Sequence, residues 1–364
     1  MGWGNMASAS KKKPHARSPE IIIGERAIGA DHAPLVIAEI GINHNGSLHT
    51  AFEMVDAACA AGAEVVKHQT HVVDDEMSQA ARQVRPGNDP RSIYDIMAAC
   101  ALDEDEEMEL KQYVEDKGML FLSTPFSRAA ADRLHNMDVA AYKIGSGECN
   151  NLPLLRHIAA FGKPMIISTG MNDLNSVRRS VELVESMAVP LALMHTTNLY
   201  PTPPELVRLG GMSELMAAFP HIPVGLSDHT RNNNACLAAA ALGACILERH
   251  FTDSKQRPGP DIVNSMDAAE MRDLIDGSRE IQLMRGGLKQ AAAEEKVTSD
   301  FAFATVVSIN AIAEGDVFTR DNLWVKRPGT GAIAASEYES ILGCRASRDI
   351  AADEHIEPGD IHGA

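Results

Sequence analysis

The chain is short of paired cysteines, of basic charge and of long apolar runs, and each shortage removes a class of function. Its six cysteines (Cys59, Cys100, Cys149, Cys236, Cys245 and Cys344) are scattered, with no C-x-x-C pair. That spacing argues against a disulfide framework or a cysteine zinc site and suits a reducing, cytoplasmic compartment. Lys and Arg number 33 against 50 Asp and Glu, a formal net charge of −17. So acidic a surface repels nucleic acid and anionic membranes, which speaks against either as a partner. It repels an anionic substrate too, so any phosphate site must be a local cluster of Lys, Arg and backbone N–H groups. The longest apolar run, Ala235–Leu247, is too short to span a bilayer and contains Gly243. Residues 1–20 hold Lys11-Lys12-Lys13 without the apolar core of a secretory signal, and read as a disordered extension of a soluble protein.

What the chain does have is alternation. From residue 35, short apolar runs alternate with longer amphipathic stretches: Leu35–Ile40, Ala63–Lys67, Met119–Ser123, Ala140–Ile144, Pro164–Ser168, Leu191–His195, Ile222–Leu226 and Ala244–Glu248. Between the first two, Ser47 is placed to cap a helix with Leu48, Phe52, Val55 and Cys59 on one face. The acidic turn Asp103–Glu107 suits the positive end of a helix that stops at Gly118, and a last helix runs from about Ala268 to Arg285. Eight such strand–helix pairs over roughly 250 residues predict an α/β fold, a (β/α)₈ TIM barrel. It would occupy residues 21–285, with Ile21–Ala33 as a hairpin closing its bottom. A doubly wound open sheet is the alternative, but it would bind ligand at a single switch point, whereas here every strand ends in polar chemistry. A polar linker (286–300) then leads to a small β-rich domain over 301–364, in which Ile312–Leu323 echoes Ile350–Ile361. A module of about 65 residues is marginal alone and should lean on a barrel, its own or a partner's.

The active site of such a barrel lies at the C-terminal ends of the strands. Those positions hold Glu39, Lys67, Thr124, Lys143, Ser168, His195, Ser227 and Glu248. The loops beyond add Asn43, His44, Gln69, Ser146, Glu148, Asn198, Tyr200, Asp228, His229, His250 and Asp261. Single polar loop residues are ordinary; charges ending apolar runs are not, because Lys67 and Lys143 face burial without a partner or an anion. Gly145-Ser146-Gly147 after Lys143 would let backbone N–H groups approach a phosphate, or would simply be a tight βα turn. His229 and His250 follow consecutive strands and can meet on one divalent ion, with His44, His68 and His195 as competing ligands. Two strand-end lysines equally allow a Schiff-base, pyruvate-type aldolase. A non-catalytic barrel that binds an anion is the remaining reading. Cys149, inside the candidate anion loop, reads as a small buried residue rather than a catalytic thiol.

Longer motifs resemble one family, the bacterial sialic acid synthases. They are A-E-I-G-I-N-H-N-G-S (Ala38–Ser47), V-V-K-H-Q-T-H (Val65–His71), S-T-P-F (Ser123–Phe126) and Y-K-I-G-S-G-E-C-N-N (Tyr142–Asn151). They continue with S-T-G-M (Ser168–Met171), T-N-L-Y-P-T-P (Thr197–Pro203), G-L-S-D-H-T (Gly225–Thr230), L-E-R-H-F-T (Leu247–Thr252) and R-P-G-P-D (Arg257–Asp261). The run N-L-W-V-K-R-P-G-T-G (Asn322–Gly331) resembles the family's C-terminal antifreeze-like, or SAF, domain. The resemblance implies condensation of phosphoenolpyruvate, open-chain N-acetylmannosamine and water to N-acetylneuraminate and phosphate, for surface glycans such as capsule or lipopolysaccharide. Legionaminate or pseudaminate synthesis from a 6-deoxy diacetamido sugar is the alternative within the family. A divalent ion, Mn²⁺ ahead of Mg²⁺ or Co²⁺, would sit on His229 and His250. Lys67, Thr124, Lys143, Ser146, Ser168 and Ser227 would hold phosphoenolpyruvate. Gln69, Asn198, Tyr200 and Asp261 would contact the sugar, and Glu39, Glu148 and Asp261 would be the carboxylates near the reacting atoms. The family forms homodimers in which the SAF domain covers the partner's barrel, which would bring Arg327 to the sugar's N-acetyl group and Phe301 to the lid.

Overall fold

A computed structural model describes residues 18–85 and 90–362. Of the extension expected over residues 1–20, residues 1–17 lie outside the described residues, and Glu20 already begins strand β1 (Glu20–Ile23). The chain divides into two compact units, Met1–Gly286 and Gly287–Ala364.

The first unit is a closed eight-stranded parallel barrel. Its strands are β3 (Leu35–Gly41), β4 (Val65–Thr70), β5 (Leu120–Pro125) and β6 (Tyr142–Ile144), then β7 (Met165–Ser168), β8 (Leu191–Thr196), β9 (Val224–Asp228) and β10 (Ile246–His250). Strand β10 pairs with β3, Ile246 opposite Leu35 and His250 opposite Glu39, and this closure rules out the open sheet. All eight expected strands are present. Several run on past the last apolar residue, to Thr70, Pro125 and His250, because apolar counting stops where the inward positions turn polar.

Side chains alternate along a strand, so one parity faces the barrel axis and the other the helices. The inward parity starts apolar: Leu35, Ile37, Val65, Leu122, Ile166 and Ile246 form one buried cluster with Ile21, Ile23 and Ile28. Those three isoleucines come from β1 and β2 (Arg26–Gly29), an antiparallel hairpin that closes the end where the strands begin. The outward parity, including Val36, Val66, Phe121 and Leu193, packs with helical residues such as Met54, Leu110 and Leu274 in a second core. Above the apolar layers the inward positions become Glu39, Lys67, Thr124, Lys143, Ser168, Ser227 and Glu248, and the fold thereby collects them on one face.

Local chemistry sets the helix ends. Ser47 accepts a hydrogen bond from Thr50 N–H and starts Leu48–Ala61, which ends at Gly62 in the left-handed region. Asp103 and Glu106 form a capping box at the start of Glu104–Asp116, and Asp267 and Glu270 do the same for Ala268–Met284.

The second unit pairs β11 (Thr305–Ser308) with β12 (Leu323–Lys326) and β13 (Arg345–Ala346) with β14 (Ile361–His362), both antiparallel. The echoed segments meet at their first residues: Ile312 and Ile350 exchange backbone hydrogen bonds of 2.9 and 2.8 Å. The stretch read as a linker holds a 3₁₀ turn (Ala293–Glu295) and a helix (Lys296–Ala302), so a boundary at 300/301 falls inside that helix. Neither element buries a residue, which is why apolar periodicity gave no sign of it.

Candidate active site

A cavity of about 210 Å³ opens at the C-terminal ends of the barrel strands. Glu39, Lys67, Gln69, Thr124, Lys143, Ser146, Glu148, Ser168, Asn198, Tyr200, Ser227, His229 and His250 all line it. Asp261 stands beside it, its Oδ2 3.6 Å from His250 Nδ1. Glu248, noted at a strand end but given no role, lies at the centre. Arg327 and Phe301 belong to the second unit, where both are exposed.

The floor is a buried charge cluster. Lys67 Nζ lies 2.7 Å from Glu39 Oε2 and 3.5 Å from Glu248 Oε1, and Lys143 Nζ lies 3.4 Å from that same Glu248 oxygen. Lys143 donates to Ser168 Oγ at 2.7 Å, Ser227 donates to Glu248 at 3.0 Å, and Lys67 donates to Thr124 Oγ1 at 3.4 Å. Burial would depress the Lys67 ammonium, but Glu248 and Glu39 outweigh it and hold the pKa above its usual value. Burial pushes Lys143 down to about 8. For Glu248, burial is overcome by Lys143 and Lys67, which draw its carboxyl down to about 2, whereas burial drives Glu39 upward against Lys67. Beside the cluster, the N–H groups of Ser146 and Gly147 bond to no acceptor among the described residues, and Gly170 N–H donates to Ser146 Oγ at 3.1 Å.

The other side of the cavity is aromatic. The rings of His229 and His250 lie 5.4 Å apart, and Tyr200 packs on His229 at 4.1 Å. Burial lowers both imidazoles to about 3, so both are neutral. His229 Nδ1–H donates to the Thr197 carbonyl at 2.8 Å, which fixes the tautomer and leaves Nε2 a lone pair; His250 Nδ1 is buried with no hydrogen bond to any described residue. Burial raises Glu148 to about 7 and Asp261 to about 6.

The competing histidines are elsewhere, for a reason of parity. His68 follows the inward Lys67 and so faces out, with Nδ1 2.9 Å from Glu107, a buried carboxylate that also takes Thr70 Oγ1 and Arg133. His44 stacks on His68 at 5.3 Å, and His195 Nε2 donates to the Val207 carbonyl at 2.8 Å. Asp228 also faces out and pairs with the fully buried Arg249, 3.4 Å from its Nε. Cys149 is buried, and burial pushes its thiol up to about 11, so it is inert at neutral pH. A larger cavity, about 620 Å³, is lined by Pro201, Val207, Leu209 and Ala235 with Arg208 and Arg231, and no carboxylate or histidine is among its lining residues.

A closed (β/α)₈ barrel with buried ammonium groups, hydroxyls and paired neutral imidazoles converging at its C-terminal face has the organisation of a TIM-barrel enzyme site. Residues 54–290 match the NeuB family and residues 304–362 match the SAF domain. The chain therefore belongs to the NeuB, or sialic acid synthase, family, as its motifs suggested. It is 36% identical to the N,N'-diacetyllegionaminic acid synthase of Legionella pneumophila, over 92% of this chain and 98% of that one. Human N-acetylneuraminate-9-phosphate synthase is 31% identical, over 93% and 96%. The crystal structure of N-acetylneuraminic acid synthetase from Leptospira borgpetersenii superposes with a TM-score of 0.71 at 27% identity, covering 78% of this chain and 96% of that one.

Proposed function

We propose that the protein is an N-acetylneuraminate synthase that condenses phosphoenolpyruvate with open-chain N-acetylmannosamine and water, releasing phosphate. The observation that carries the reading is the two-sided cavity: Lys67 and Lys143 among Thr124, Ser168 and Ser227 on one side, neutral His229 and His250 on the other. The lysines, the hydroxyls and Ser146 hold the phosphate and carboxylate of phosphoenolpyruvate, offering charge where the chain as a whole is acidic. Gln69, Asn198, Tyr200 and Asp261 contact the sugar. The enol carbon attacks the aldehyde, water adds at the phosphoenol carbon, and the resulting tetrahedral centre expels phosphate. Glu39 orients or deprotonates the water, while Glu148 and Asp261, raised to about 7 and 6, suit proton transfer near neutral pH.

His229 and His250 fit a divalent ion: both are neutral, and the outer nitrogen of His229 is tied to a carbonyl, the usual support for a metal-bound imidazole. Among the described residues no group of three His, Cys, Asp or Glu is set to hold a metal, so water and substrate would complete the shell. Bound there, Mn²⁺, or Mg²⁺ or Co²⁺, supplies Lewis-acid polarisation of the sugar aldehyde. The working unit is a cytoplasmic homodimer in which the SAF domain covers the partner's barrel, and Arg327 and Phe301 complete the sugar site across that interface.

For the acceptor, Gln69 and Asn198 offer hydrogen-bonding partners to a fully hydroxylated sugar, beside the apolar faces of Phe126 and the Tyr200 ring. The 36% identity to a diacetyllegionaminic acid synthase favours the second reading, a 6-deoxy diacetamido acceptor. Phosphate release from phosphoenolpyruvate with each sugar, with and without chelator, decides between them. Faster turnover of the 6-deoxy sugar overturns the first reading, and turnover indifferent to chelation overturns the metal. The aldolase alternative is weakened by Lys67, held as ammonium by two carboxylates. Borohydride trapping with pyruvate tests Lys143 directly, since a stable adduct there would exclude the synthase route.

A further inference from the structure

We infer that His71 is a positioning residue for the Glu39 carboxylate, acting through the Gln69 amide and anchored by Glu76. His71 is buried, its ring stacked on Phe126 at 4.7 Å with planes 6° apart. Its Nδ1 lies 2.8 Å from Glu76 Oε2 and its Nε2 3.3 Å from Gln69 Oε1. The far end of that amide donates Nε2–H to Glu39 Oε1 at 2.7 Å, and the other Glu39 oxygen meets Lys67. The four groups form one line from the cavity's edge to the centre of the charge cluster.

The direction of each bond follows from what the groups can do. Only the NH₂ end of Gln69 can donate to a carboxylate, so its carbonyl faces His71 and the ring must present N–H there. The opposite ring nitrogen lies 2.8 Å from the Glu76 carboxylate, so one proton is held between those two groups and anchors the ring from that side. The other charged and titratable groups around it are Glu148, from the loop after β6, and His44, from the loop after β3. Among the described residues no other side chain bonds the Gln69 carbonyl. Without His71 the amide can turn over, which would replace a hydrogen bond to Glu39 with a carbonyl oxygen facing a carboxylate. The backbone is built around this contact. Strand β3 shifts register between Glu39 and Gly41, and a Cβ at Gly41 would stand 3.0 Å from Glu39 Oε1 and 3.2 Å from Gln69 Nε2, at a φ of 47°.

The kinetic part of the inference rests on the synthase reading; the spectroscopic part does not. His71→Phe keeps the stack on Phe126 and removes both ring nitrogens. It should lower kcat on the order of 10- to 100-fold while leaving KM for phosphoenolpyruvate within about twofold, as misplacement of a reacting group does. His71→Gln keeps one donor toward Gln69 and should restore most of the loss. In wild-type protein labelled with ¹⁵N-histidine, the His71 Nε2 resonance should be that of a nitrogen carrying a hydrogen-bonded proton, and Glu76→Gln should shift it. Wild-type kcat in His71→Phe, or a bare Nε2 in the wild-type spectrum, overturns the inference. Should His71→Phe fail to fold, His71→Gln and the wild-type spectrum carry the test. If no sugar is turned over by wild-type protein, the proposed function fails while the spectrum still answers for His71.

Discussion

Lys143 and Lys67 converge on a single oxygen, Oε1 of Glu248, at 3.4 and 3.5 Å, while the second Glu248 oxygen is buried without a hydrogen bond from any described residue. One carboxylate thus keeps two ammonium groups inside the barrel. Removing it leaves the lysines with Glu39 alone, and breaking a buried pair in this way costs about 3–5 kcal/mol. Glu248→Gln should therefore unfold at markedly lower urea than wild type, and millimolar inorganic phosphate should recover part of the loss by replacing the missing charge. Equal urea midpoints for the two proteins would show that the cluster is not held by Glu248.

The same burial sets a pH limit on anion binding. Lys143 is pushed down to about 8, and only its protonated form attracts a phosphate or carboxylate. Affinity for phosphoenolpyruvate should hold below that value and fall above it by up to about tenfold per pH unit. Calorimetric titration across the range checks this, and in Lys143→Met the affinity should be low throughout, with that alkaline fall missing.

Strand count and strand ends were legible because a barrel strand buried on both faces reads as an apolar run, and its first polar residue marks the site. Lys67, Lys143 and Ser168 were found that way. Less legible was which polar neighbour faces the axis. Lys67 and His68 look alike in sequence, and only strand parity sends His68 to Glu107 and Lys67 to the cavity. Glu248 was visible as a strand end, but its place between two lysines depends on β6 and β4 approaching β10 across the barrel, which no local pattern encodes. The His71–Gln69–Glu39 line was missed because His71 lies beyond its strand and does not line the cavity.

Metal binding should depend on both imidazoles. His229→Ala and His250→Ala should each lose bound Mn²⁺ at micromolar concentrations, read by electron paramagnetic resonance, with activity lost in parallel. Asp261→Asn, next to His250, should weaken the ion by a smaller factor, about 10- to 100-fold. Retention of Mn²⁺ in the His229→Ala/His250→Ala double variant would move the metal elsewhere.

Acid should destabilise the barrel through its buried neutral histidines. Burial lowers His44 from 6.5 to about 3, with His68 beside it adding to the shift. Between those values the unfolded chain binds a proton that the folded chain refuses, so stability falls as pH falls, by up to about 1.4 kcal/mol per unit for this residue. His44→Asn keeps an acceptor for Gly46 N–H, which His44 Nδ1 now takes at 3.2 Å, and removes the titration. Its denaturation midpoint should decline less steeply from pH 6 to 4 than that of wild type; parallel curves would exclude His44 as a source of the slope.

The contribution of the second unit can be tested by mixing. If Arg327 of one chain serves the other chain's barrel, Arg327→Ala homodimers lack that group at both sites, and Lys67→Met homodimers have two disabled barrels. A mixed dimer has one intact barrel facing one intact Arg327. Random exchange of subunits makes half the dimers mixed, each with one complete site, so roughly a quarter of wild-type activity should return on mixing two inactive proteins. If Arg327 instead serves its own barrel, every site in the mixture carries one of the two lesions. No activity then returns at any ratio, and the swapped arrangement is refuted.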